Sequence, residues 1–164
     1  MFTIQNAKIG SQPIATTSTT ASSVNALGDK VEATDPTYGS GEFVYLKGVA
    51  STAVGDWVTI NYDDWSTTRL VANAIGPVGV AMSAHVASQY GWYQIRGKAS
   101  AKALTAFADN GRAYATATAG SVDDTVVDGD QVHLALGASA VNETTLLADF
   151  EIQYPYTDDT TTND

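Results

Sequence analysis

The sequence predicts an all-β fold, a small antiparallel β-barrel or sandwich with an extended N-terminal arm. Charged residues are only 16% of the 164, against about 25% in ordinary domains. Ala, Thr, Gly, Val and Ser fill the difference, and that mix of small and β-branched residues favours short strands over long helices. Alternating or β-branched runs then recur at intervals of about 8–12 residues, punctuated by Gly, Asp and Asn, as in antiparallel sandwiches and barrels. Finally, there is no cysteine. Disulfides, thiolate metal sites and thiol nucleophiles are excluded, and packing alone must hold the fold. A chain of this length forms one domain and buries roughly 70% of its unfolded surface, enough for a proper core.

Residues 1–38 read as the arm. Ala15 to Ser23, ATTSTTASS, is low in complexity and offers no bulky anchor. Phe2, Ile4, Ile9 and Ile14 are isolated apolar residues along a polar stretch. Such a segment cannot offset its own ordering entropy. It either stays loose, as termini do, or orders on a partner that receives those four side chains.

Residues 39–156 read as the β-domain. Gly41 to Leu46 is a strand. Ala53-Val54-Gly55-Asp56 is a tight turn, in which Gly permits positive φ and Asp bonds the backbone two residues on. The turn launches a strand from Trp57 to Tyr62. Further strands are expected at Arg69–Asn73 after the Asp63-Asp64 turn, at Pro77–Met82, and at Tyr90–Arg96. Ser100 to Asp109 is Ala-rich and reads as a short helix or an extended connection, with the helix preferred. Arg112–Thr118 and Gln131–Leu136 follow. In the latter, Val132, Leu134 and Leu136 fall on one face and His133 points away from the core. Phe150–Tyr156 closes the domain, and residues 157–164 form a flexible acidic tail.

The formal net charge is -10 and the pI about 4.3. That surface repels phosphate backbones and anionic membranes, so neither is an expected partner. Its plain reading is solubility at high local concentration. Met1-Phe2-Thr3-Ile4 lacks a basic n-region and a continuous apolar h-region. No apolar run approaches the ~20 residues of a membrane span. The chain is therefore expected to be made in a cytoplasm, and kept or assembled there.

Chemical motifs are sparse, and no enzyme, cofactor or metal is expected. His85 and His133 are the two histidines. One His suffices for a hydrolytic triad, but neither lies beside a nucleophile elbow, so a β-barrel hydrolase is the weakest reading. Asp63-Asp64, Asp123-Asp124 and Asp158-Asp159 read as solvated turn charges, and Asp128-Gly129-Asp130 is the best candidate for a Ca²⁺ turn. No phosphate-binding loop pattern occurs. Trp57, Trp65 and Trp92, with Tyr90 and Tyr93, could form an exposed stacking platform, as in a carbohydrate-binding module for adhesion or receptor binding. As core and interface residues of a β fold they need no such role.

Several segments resemble small structural proteins of tailed phages, the capsid decoration or cement proteins: GEFVYLKGVAS (Gly41 to Ser51), DDWSTT (Asp63 to Thr68), IGPVGVAMS (Ile75 to Ser83), QYGWYQIRGKA (Gln89 to Ala99), ATAGSVDD (Ala117 to Asp124) and DFEIQYPY (Asp149 to Tyr156). The resemblance covers Tyr38 to Tyr156 and rests on strands and turns, not on an active-site signature. It implies a compact β-barrel or sandwich without enzymatic activity, on the outer surface of a virion made in a host cytoplasm. It further implies a homo-oligomer, a trimer, that bridges neighbouring major capsid subunits and stabilises the head. The arm lies outside the resemblance and takes no role from it.

Overall fold

The computed structural model describes residues 1–6, 10–20 and 25–160. Among them there is no helix, and the fold is all-β. Twelve strands form one mixed sheet: β1 (Thr3–Ile4), β2 (Thr17–Ser18), β3 (Lys30–Asp35), β4 (Gly39–Lys47), β5 (Trp57–Asn61), β6 (Ser66–Arg69), β7 (Gly76–Ala81), β8 (Tyr90–Lys102), β9 (Arg112–Ala115), β10 (Val122–Asp123), β11 (Gln131–Gly137) and β12 (Leu147–Thr157).

The pairing closes on itself. β4, β6, β5, β7 and β8 follow one another, and β8 returns to β4 through the register Val44↔Tyr93. β4 and β6 make the parallel contact, at Lys47↔Ser66. The other half of β8 pairs with β12, which leads to β11, β9 and β10. A bridge from Val122 to Ala103, just beyond β8, brings that half round again.

Alternation along each strand sorts side chains between cores, because successive residues face opposite sides. Val44 and Leu46 of β4 join Val58, Ile60, Ala81, Tyr93 and Ile95 inside the first ring. Phe43 and Tyr45 point the other way, onto Ile14, Val31, Ala33 and Trp92. Trp57, Val78 and Val80 leave the first ring in the opposite direction and meet Ala99, Ala101, Phe107 and Phe150 of the second half. Trp57 and Phe150 pack edge to face with centroids 5.0 Å apart. β8 therefore walls all three clusters, Trp92 facing one, Tyr93 another and Ala99 the third.

Three expectations are corrected. The strand expected at Arg69–Asn73 lies earlier, at Ser66–Arg69, because the turn after Asn61 is tight and the chain turns again at Asn73 with φ 60°. Ser100 to Asp109 is not a helix. Ser100–Lys102 extends β8, and Ala99, Ala101 and Ala103 alternate inward as the small floor beneath Trp57 and Phe150. Here the tertiary setting overrides Ala's helix propensity. Leu134 and Leu136 do not share the inner face with Val132. The register slips between His133 and Ala135, Leu134 takes φ 60°, and Ala135 replaces it inside. This β-bulge puts Leu134 and Leu136 outward.

Within the stretch read as an arm, Lys30–Asp35 pairs with β4 along its length, Thr3–Ile4 pairs with β3, and Thr17–Ser18 pairs with β8.

Candidate functional site

The apolar side chains of the first segment are turned onto the protein itself. Ile14 is 2% exposed, and Phe2 and Ile4 are half-buried against the same cluster as Phe43, Tyr45 and Trp92. Gln12 fixes the path: its carbonyl accepts from Trp92 Nε1 at 2.9 Å, and its Oε1 accepts from the Tyr45 hydroxyl at 3.0 Å. Phe2, Ile4 and Ile14, read from the sequence as loose or ordered on a partner, here pack on the apolar outer faces of β4 and β8, with Phe2 and Ile4 still partly exposed. Ile9 lies outside the described residues.

The three tryptophans do not assemble. Trp57 is 0% and Trp92 1% exposed, in different clusters. Trp57 Nε1 donates to the Lys102 carbonyl at 3.0 Å. Trp65 is half-buried against the first ring, tilted on Tyr62 and over Gly28. An exposed platform of Trp57, Trp65 and Trp92 is therefore corrected to two core residues and one edge residue, as the apolar area of an indole favours.

Two buried polar groupings were not anticipated. Asp56 is fully buried and meets Arg69 Nε at 2.8 Å, with Lys102 Nζ 2.7 Å from Oδ1 and off the hydrogen-bond direction. It also accepts from the Ala53 amide at 3.0 Å, closing the turn. His85 is 3% exposed, stacked on Tyr93, with Nε2 3.3 Å from the Ser83 hydroxyl and Nδ1 unpartnered. Burial holds its pKa below the usual value. Burial also pushes Tyr93 up to about 12. Among the described residues no carboxylate accepts from His85, so Ser83 and His85 have there no third member to orient a base. His133 instead stacks on Tyr156 and lies 3.5 Å from Asp158. In the Asp128-Gly129-Asp130 turn, Asp130 accepts from the Asn73 amide. Among the described residues no three His, Asp or Glu side chains are grouped to hold a metal ion. Nor, among them, is any helix long and apolar enough to cross a membrane.

What the surface does offer is apolar. At one end, two loops carry exposed Val71 and Ile75, and Val126 and Val127. The Asn73–Asp130 bond ties these loops together, and Thr157 Oγ1 donates to the Ala74 carbonyl at 2.7 Å, fixing the first to the end of β12. An open depression of about 310 Å³ lies beside them, lined by Ala72, Leu104, Ala115 and Val127 among others. We call this end the crown. Around the side, β9, β11 and β12 present Leu134 and Leu136 at the border of a mainly polar groove of about 560 Å³ that also holds Arg112, His133, Tyr156 and Asp158. Val126-Val127 was legible as an aliphatic pair inside an acidic turn, SVDDTVVDGD. Leu134 and Leu136 were hidden by the assumption of unbroken alternation.

Compared with known protein families, curated proteins and solved structures, the chain finds no match.

Proposed function

We propose that the chain is a non-enzymatic virion structural protein that decorates a phage capsid and stabilises it by bridging neighbouring major capsid subunits. The observation that carries the proposal on this molecule is the crown. Four exposed aliphatic side chains on two loops cross-braced by Asn73 and Asp130 form an apolar end on an acidic body. Such an end favours a protein partner over nucleic acid, since the net charge of -10 repels phosphate. The resemblance of Gly41 to Ser51, Asp63 to Thr68 and Ile75 to Ser83 to cement proteins supports the choice of a capsid as that partner. Contacts that are modest singly add up when several copies engage one particle. Ile75→Asp and Val126→Asp should reduce occupancy of purified capsids while the melting temperature stays unchanged. Full occupancy by both variants would reject the crown as the capsid contact. Heads lacking the protein should release DNA at lower temperature; equal stability would reject cementing.

A further inference from the structure

We infer that the outer face of β9, β11 and β12 is a self-association surface whose occupant is a second copy of this chain, related by a two-fold axis. Leu136 is the centre of a row across three strands: its register partner on β9 is Arg112 and its partner on β12 is Glu151. Directly opposed residues share a face of the sheet, and all three are exposed. Across these three strands the row reads cation, leucine, anion, and Lys98 of β8 follows as the next register partner of Glu151. Two such rows running in opposite sense bring each Arg112 to the other copy's Glu151, with both leucines between them. An isologous contact of this kind is self-complementary.

Shape follows the same logic. The bulge lifts Leu134 to 60% exposure beside a groove whose walls mix Ala135, Leu136 and Tyr156 with the polar Arg112, His133 and Asp158. A knob next to a hole on one face is what two-fold packing needs. Leu134 holds φ 60° within a strand, as Tyr154 does at 53° in β12, and this backbone conformation is what turns its side chain outward. The chain's net charge of -10 opposes self-association in general; on this face Arg112 offers a cation to the other copy's Glu151. The resemblance implies a trimer, whereas the polarity of this row favours a pair. The inference does not depend on the capsid reading.

Sedimentation velocity and native mass spectrometry of the full chain over a concentration series test it. The expected result is a two-chain species that dissociates on dilution. Leu134→Asp and Leu136→Asp should each weaken pairing at least ~10-fold, a loss equivalent to about 1.4 kcal/mol. Arg112→Glu should do the same, and adding Glu151→Arg should restore it, since the reversed pair is again complementary. Circular dichroism checks that each variant is folded, and Leu134→Lys stands in for any that is not. A one-chain mass at every concentration, a trimer, or pairing insensitive to Leu134 and Leu136 would overturn the inference, as would failure of the charge reversal to rescue. Capsid occupancy of the crown variants is read separately, so either proposal can fail without the other.

Discussion

Gly48 and His85 are in such close contact that a Cβ on the glycine would overlap His85 Nδ1. Gly91 closes the other side, where a Cβ would meet Cε1 at 2.6 Å. The imidazole is thus clamped between two strands that pair at Leu46↔Gly91. Gly48→Ala should destabilise the fold by about 1–3 kcal/mol, the usual cost of overpacking. In a His85→Ala background the same change should cost less than half as much, because the two sites are in contact and do not add. Urea unfolding of the four proteins in this cycle measures the coupling; equal costs in both backgrounds would show that the ring does not fill the space.

His85 also sets a pH dependence. Its folded pKa is depressed by burial, opposed in part by the nearby Gln89 backbone. The unfolded chain therefore binds the proton more readily, and stability rises with pH through this window. The contribution is complete above the unfolded value near 6.5 and is lost as pH falls below it. Unfolding free energy should decline from pH 7 to pH 5, and His85→Gln should flatten that decline. Asp64 and Asp158, lowered by bonds to Ser66 and Thr160, act in a separate window. Their stabilisation is present above their ordinary value of 3.8 and disappears only below it.

Asp56→Asn should lower stability by about 3 kcal/mol, as removal of one partner from a buried ion pair does. The partial exposure of Arg69 and Lys102, 27% and 26%, relieves some of the penalty on the cations left behind. The loss should appear as a drop in melting temperature without change in the far-ultraviolet spectrum at 20 °C or so. An unaltered melting temperature would mean that the cluster contributes nothing net.

Ile14→Ala should cost about 2–4 kcal/mol, the range for a buried aliphatic truncated to Ala. Deleting residues 1–14 should cost more, since it uncovers Tyr45 and Trp92 and removes the Gln12 acceptors of both. Tryptophan fluorescence should shift to the red as Trp92 becomes wet. A deletion that melts at the original temperature would show that the segment is dispensable.

The β character, the strands beginning at Trp57, Tyr90 and Gln131, and the strand that runs from Gly76 to Ala81 could be read locally, because apolar alternation and Gly-Asp turns are local signals. Gly55 does adopt φ 84° in the turn expected there. The rest depended on partners far along the chain. Asp56 looked like a turn residue and is one, but its contacts with Arg69 and Lys102 leave no mark in the neighbouring sequence. The spacing of Phe2, Ile4 and Ile14 revealed side chains in need of cover without revealing that β4 and β8 supply it. Nothing around Leu134 announces a residue of positive φ, so the outward face of β11 became visible only in three dimensions.

The consequence of β8 is for modularity. Its 13 residues run without interruption from the Trp92 cluster past Tyr93 to Ala99 and Ala101. Cutting the polypeptide anywhere within β8 would leave each piece without part of the wall of its interior, so the two halves are not built as separable modules. Whatever the crown and the side wall hold, they hold as parts of one indivisible body.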